Sequence, residues 1–333
     1  MSLRKMGLVC GWVLAACHLT AMALGPTESW PQRPVTIIVP FVAGGGTDTF
    51  ARLLTPELSA VIGLPVLIEN VAGAGGTIGA RKLTQAAPDG HVLMYGGISE
   101  TVLIPQNSQT AGYNSLDLQA LSIIGSTPLV LATRKDFPAS SLDAMVKLVR
   151  SSPMKYTYGS AGVGSYGHLM LEALARRQGL QLLHVPYKGS SQLLTDMASG
   201  QIDLTLTNLT AVQPFAKARR VNLLGISTPQ RLPDWPDLPT FAESSASAQE
   251  SISIWGGVFA PRGLAPETAQ KINAAFTQTL KNEALRAKLG QLGIKLEKPR
   301  SHRESETFYE QQVRLYQPLA TGPEQAGRSI AVK

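Results

Sequence analysis

Residues 35–54 read VTIIVPFVAGGGTDTFARLL, and the fold follows from how this stretch changes character along its length. Val35, Thr36, Ile37, Ile38 and Val39 form a β-branched run that predicts a strand. Pro40 ends it, Gly44, Gly45 and Gly46 make a loop, and apolar residues return at helical spacing at Phe50, Leu53 and Leu54. Thr47 and Asp48 are helix-capping types, so a helix is expected to begin there. Its unpaired N–H groups and the positive end of its dipole would then open beside the glycines, which is an arrangement suited to an anion. A tight strand-to-helix turn also needs glycine, and the stretch alone leaves both readings open.

On the N-terminal side, Arg4 and Lys5 precede an apolar run from Met6 to Ala16. This is the layout of a secretory signal peptide, and the run is too short to span a membrane. Ala21-Met22-Ala23 fits a cleavage site, giving a segment 1–23 that is removed. Leu14-Ala15-Ala16-Cys17 fits the alternative, a lipid tether on Cys17; the apolar residues after Cys17 favour cleavage. Cys10 and Cys17 are the only cysteines, so no disulfide is expected in the exported protein, whose stability must come from its core. About 310 residues would remain, enough for two cores. The formal charge of +7 loses two positive charges with the leader, and the remaining Lys and Arg are scattered. Such a surface argues against nucleic acid as a partner and permits an acidic solute.

The strand, glycine loop and helix pattern repeats downstream. Val66 to Asn70 predicts a strand, Gly73-Ala74-Gly75-Gly76 a loop, Thr77 to Ala87 a helix and His91 to Tyr95 a third strand. Strands alternating with helices predict a mainly parallel sheet. Residues 98–119 show no periodicity and are expected to form a polar loop. A second series starts at Leu129 to Thr133. Helix Ser141–Ser151 leads to strand Tyr156–Tyr158, and Gly159 to Ser165 then opens a helix through Leu174. Leu183–Tyr187, Ser191–Ala198 and Asp203–Thr207 follow as strand, helix and strand, and Asn222–Ser227 returns the chain to the first series. Residues 228–250 read as a surface connection. Ile252–Phe259 is one more strand, Pro266 to Gly290 a long helix, and Ser305 to Leu319 a final amphipathic one.

Three motifs bear on chemistry. Gly162, Gly164 and Gly167 match a dinucleotide fingerprint in form, but the next strand ends in Val185-Pro186-Tyr187-Lys188 without the acid that a ribose would need. Ser165 and His168 suggest a nucleophile and base, although Val163 stands where a nucleophile elbow requires glycine. The five histidines, His18, His91, His168, His184 and His302, have no metal-ligand spacing. Trp255, in its apolar strand, reads as core more readily than as a ligand platform.

Taken in order, the pieces resemble the Bug-type extracytoplasmic solute receptors of the tripartite tricarboxylate transporter system. They are Trp30-Pro31 with Pro34-Val35, Val39-Pro40-Phe41 with Gly44-Gly45 and Asp48, and Glu69-Asn70 with Gly73 to Gly76. Pro88-Asp89-Gly90, Ser160-Ala161-Gly162, Gly164-Ser165, His168-Leu169, His184 to Gly189, Leu238-Pro239-Thr240 and Ala260-Pro261 complete them. No single piece is specific; their number and order are. The resemblance implies an α/β, two-lobed periplasmic binding protein of the type II kind, each lobe a mainly parallel sheet flanked by helices and joined by hinge strands. It further implies a monomer that captures a small carboxylate, whether an organic, amino or aromatic acid, and delivers it to membrane subunits of the transporter. No cofactor, metal or catalytic residue is implied.

In that family two loops, one per lobe, hold the ligand through backbone N–H groups. Carried onto this sequence, the binding residues are Phe41, Gly44, Gly45, Gly46, Thr47 and Asp48 in the first loop, and Ser160, Ala161, Gly162, Gly164 and Ser165 in the second. Tyr187 and the neutral Asn208 are added from the later strands. The lobes are expected at 24–128 plus 226–333 and at 129–225, with the hinge at Leu129–Thr133 and Asn222–Ser227. Two departures stand out: Ala43 replaces the usual proline before the glycines, and residues 104–121 lack the common Asn-Pro and Tyr-Asp-Pro patterns. An exported hydrolase using Ser165 is the alternative from another class, ahead of a dinucleotide-dependent oxidoreductase.

Overall fold

The computed structural model describes residues 30–246 and 253–317, so the expected leader, both cysteines, the start of the Ile252 strand and the end of the last helix lie outside the described residues. β1 (Val35–Val39) runs through the glycine loop into α1 (Gly46–Ile62). β2 (Val66–Asn70), α2 (Thr77–Thr84) and β3 (Val92–Gly97) follow, and β1 pairs in parallel with both β2 and β3. After the short α3 (Ile104–Asn107) comes β4 (Leu118–Arg134), 17 residues long and nearly all buried. Then come α4 (Leu142–Arg150), β5 (Thr157–Ser160), α5 (Tyr166–Gln178), β6 (Leu183–Pro186) and α6 (Ser190–Ala198). β7 (Leu204–Asn208), α7 (Leu209–Lys217) and β8 (Val221–Ile226) close this series. β9 (Ser253–Pro261), α8 (Pro266–Thr279), α9 (Glu283–Gln291), β10 (Lys295–Leu296) and α10 (His302–Tyr316) complete the described chain.

The strands form one sheet in the order β2-β1-β3-β9-β4-β7-β5-β6, with β8 and β10 also on β4. The expected parallel ladders lie towards the two ends, β2-β1-β3 and β6-β5-β7. Between them β9 and β4 run antiparallel to their neighbours, so the sheet is mixed. β4 joins the halves: Leu118 to Pro128 pair with β9, and Leu129 to Thr133 pair with β7. At the usual rise per residue a strand of this length reaches roughly 50 Å, enough to run from one half into the other. Apart from its last residue, Arg134, burial relaxes at Ser126 and Thr127 near the middle, which line a cleft.

Several boundaries differ from the sequence expectation, and three of the differences bear on the site or the core. α1 starts at Gly46 with Gly45 as its cap, not at Thr47 or Asp48, because the Asp48 carboxylate folds back to accept the Gly44 N–H at 2.9 Å. The long C-terminal helix is two: Asn282 caps α9 by accepting the Leu285 N–H at 3.0 Å while donating to Glu57 Oε2 at 2.7 Å. Residues 98–119 are a polar loop only over 108–114. Ser99–Leu103 make a π-helical turn that continues into α3, and Ile98 and Glu100 to Ile104 are buried. Glu100 and Thr101 inside this buried run disguise it, since burial of polar residues erases the apolar periodicity by which a helix is recognised.

Candidate ligand-binding cleft

The α1 end is built around Asp48, which is only 2% exposed. Its Oδ2 accepts from the Gly44 N–H and from Arg52 Nε at 2.8 Å, and its Oδ1 accepts from Asn70 Nδ2 at 2.9 Å. Asn70 also donates to Phe41 O at 3.0 Å, which ties the strand end to the loop. Burial pushes the Asp48 carboxyl up, but the bonds from Arg52, Gly44 and Asn70 outweigh it and hold it below the usual carboxylate range. Gly44 takes φ +80°, where a side chain would be strained. The first intrahelical bond runs from the Thr49 N–H to Gly45 O at 2.9 Å, so the N–H groups of Gly46, Thr47 and Asp48 point out of the helix end.

The α5 end reaches a similar geometry with other side chains. Ser165 is the cap residue in extended conformation, after Gly162 at φ +138° and Gly164 at φ +79°. Ser160 Oγ lies 2.7 Å from His184 Nε2 and also contacts the Gly162 N–H and carbonyl. The Gly164 N–H donates to His168 Nδ1 at 3.2 Å, and the His168 and His184 rings lie 4.3 Å apart. Burial first, and then the neighbouring His168, push His184 down to about 4; burial also lowers His168. Both imidazoles are therefore neutral near pH 7, and His168, accepting at Nδ1, keeps its proton on Nε2.

The two helix ends face a common cavity of about 130 Å³. One water needs on the order of 10–15 Å³ by this measure, so there is room for a small organic molecule. Of the residues singled out in the sequence, Phe41, Gly45, Gly46, Thr47, Ala161, Ser165 and Asn208 line it. Gly44, Asp48, Ser160, Gly162 and Gly164 lie behind the wall and shape the loops. Tyr187 lies off the wall too, with its hydroxyl donating to Asp196 at 2.8 Å. Asn208 caps α7 through the Ala211 N–H and crowds Gly46, where an added methyl would stand 2.5 Å from Asn208 Oδ1. The Ser165 hydroxyl is buried on the wall with no hydrogen-bond partner.

The halves also touch around this cavity. The Tyr166 N–H donates to Ser99 Oγ at 3.0 Å, and an added methyl at Gly162 would meet the Gly75 backbone at 2.7 Å. Gly167, the last glycine of the dinucleotide-like fingerprint, has an equally local reason: a methyl there would stand 2.2 Å from Leu206 O, so the residue lets α5 seat on β7. The hydrolase alternative loses its base, because His168 Nδ1 is engaged by Gly164 and Ser165 Oγ meets no imidazole. Among the described residues no group of His, Cys, Asp and Glu is placed to hold a metal ion.

Sequence reasoning missed much of the opposite wall: Tyr95, Ser99 and Glu100 from the end of β3 and the turn after it, Ser126 and Thr127 from β4, and Thr205 and Thr207 from β7. Trp255 is both core and wall, 7% exposed, with Nε1 donating to Gln312 at 3.1 Å. Glu100 is the most unusual of these. It is 1% exposed, its Oε1 accepts the Gly97 N–H at 2.5 Å, and burial pushes its carboxyl up to about 7 against the pull of backbone donors. Its signal in the sequence was an acid between Ser99 and Thr101, just ahead of the apolar Val102-Leu103-Ile104.

A family model described as tripartite tricarboxylate transporter family receptor matches residues 50–320. Protein BugT of Bordetella pertussis is 31% identical over 287 residues, covering 86% of this chain and 87% of its own. The structure of periplasmic binding protein BugD superposes with a TM-score of 0.84 at 29% identity, over 90% of this chain and 99% of that one. R. palustris Rpa4515, solved with adipate, gives 0.83 at 31% identity with the same coverage. An α/β binding-protein fold, two helix ends at one cleft and a match through most of the length agree: the chain belongs to the receptor family of the tripartite tricarboxylate transporters.

Proposed function

We propose that the chain is an exported receptor that grips the carboxylate of a small acid between the α1 and α5 ends and presents it to transporter membrane subunits. The observation that carries this reading is two helix N-termini facing one cavity whose described wall holds no Lys, Arg or His. An anion there is held by main-chain donors and helix dipoles, and the orphaned Ser165 hydroxyl supplies one more donor. The adipate on Rpa4515 supports an organic acid as ligand. In this reading the cavity-lining residues of the two loops contact the ligand, while Gly44, Asp48, Ser160, Gly162 and Gly164 hold the loops in shape. Tyr187 braces α6 through Asp196.

The lobes are residues 24–128 plus 226–333 and residues 129–225, and they close about Leu129–Thr133 and Asn222–Ser227. The protein acts as a monomer in the periplasm after cleavage behind Ala23. The test is a thermal-shift screen of the purified protein against monocarboxylates, dicarboxylates and amino acids. A ligand at a hundredfold its dissociation constant adds about 2.7 kcal/mol of stability. Thr47→Pro removes one N–H at the second helical position, where proline is tolerated, and should weaken the best acid at least about tenfold. A screen in which no acid stabilises the protein, or a Thr47→Pro variant that is folded and binds as tightly as the parent, refutes the proposal.

A further inference from the structure

Apart from Tyr95 and Tyr166, Glu100 is the only titratable side chain on the cavity wall among the described residues. A helix-turn acid on a surface would need no explanation, but this one is almost fully buried, and a buried carboxylate needs compensation. The protein supplies backbone N–H groups and no cation. Gly97 donates to Oε1, while Tyr113 donates its hydroxyl to the Glu100 carbonyl and not to the carboxylate. Arg81, whose charge reaches Tyr113, directs its donors to Thr110 O and Ala111 O. No described ion pair includes Glu100. Meanwhile the rest of the cavity offers one strongly anion-attracting region, the paired helix ends.

We propose that Glu100 is a specificity-determining residue that receives a protonated amine, so that the ligand is a zwitterionic amino carboxylate with its carboxylate at the α1 and α5 ends and its ammonium at Glu100. This rests on the carboxylate site proposed above and narrows its ligand class. Charge balance is the reason. The helix ends compensate one negative charge, Glu100 compensates one positive charge, and a zwitterion satisfies both. A plain dicarboxylate would set its second carboxylate in a cavity with no described cationic side chain and one acid. The other acidic groups facing Glu100 do not compete. Tyr95 on β3 and Tyr113 before β4 are both held neutral by burial, and Tyr309 on α10 donates to Thr101 O.

The experiment compares the wild type with Glu100→Gln, which keeps the shape and an acceptor for the Gly97 N–H. The probes are α- to δ-amino acids, with the matching monocarboxylates and dicarboxylates such as valerate and glutarate for δ-aminovalerate. In the wild type the best amino acid should bind tenfold to a hundredfold tighter than its matching monocarboxylate, the range of one charge-assisted hydrogen bond. Glu100→Gln should erase most of that preference and improve the dicarboxylate. Calorimetry in two buffers of different ionisation enthalpy adds a sign. With the Glu100 carboxyl near 7, an ammonium drives proton release at neutral pH, whereas a second ligand carboxylate drives uptake. Wild-type preference for the dicarboxylate, proton uptake on binding, or an unchanged amino-acid preference in Glu100→Gln overturns the inference while leaving the carboxylate site standing. If no carboxylate of any kind binds, the carboxylate site fails and the inference fails with it.

Discussion

The ends of α1 and α5 present nearly the same backbone to the cleft and are supported by opposite chemistry. At α1 an ionised, buried Asp48 ties together Gly44, Arg52 and Asn70. At α5 neutral side chains do the work: His184 on Ser160, and His168 on the Gly164 N–H. The glycines make both turns possible, but the side chain behind each turn decides what could undo it. An ionic support resists mild acid and fails when its carboxylate is lost; an imidazole support weakens once the imidazole gains a proton.

The most severe way to break this comparison is Asp48→Ala. It removes three bonds to one buried carboxylate and leaves the Gly44 N–H without its acceptor. A stability loss of about 3 kcal/mol is expected in urea unfolding of the ligand-free protein. A loss under about 1 kcal/mol would mean that the glycine loop holds itself.

Acid should separate the two ends. His184 sits near 4 when folded and about 6.5 when unfolded, so as pH falls the unfolded chain takes up the proton first. Stability should therefore drop as pH goes from about 6.5 to about 4, by about 1 kcal/mol per unit after allowing for partial exposure. Asp48 behaves otherwise: its folded value is depressed, so its contribution is present above the unfolded value near 3.9 and is lost only below it. Urea titrations across this range should show a shallower slope for His184→Gln and an unaltered one for Asp48→Asn. Equal slopes in all three proteins would remove the distinction.

Ser165→Ala is the gentlest probe. Removing an unsatisfied buried hydroxyl should leave ligand-free stability within about 0.5 kcal/mol of the parent. Affinity for the best acid should fall about threefold to tenfold. If affinity is unchanged, the hydroxyl is idle and the α5 end acts through its backbone alone.

The amino-acid sequence by itself determined the local elements. The β-branched run 35–39, the glycines after it and the helical spacing of Phe50 and Leu54 were enough to place β1, its loop and α1, because strand, turn and helix preferences act over a few residues. The same logic found the glycine loop before α5, whereas the seven binding residues that line the cavity came from the family resemblance and not from local pattern. Tertiary structure alone decided what depends on distant partners. Gly46 meets Asn208, Ser99 meets Tyr166, and β9 enters between β3 and β4, each a pairing across many residues that no local pattern encodes. Glu100 shows the physical reason most clearly. In the chain it is one acid between Ser99 and Thr101, and only packing withdraws it from water, leaves it without a described cation and places it on the wall of the cleft.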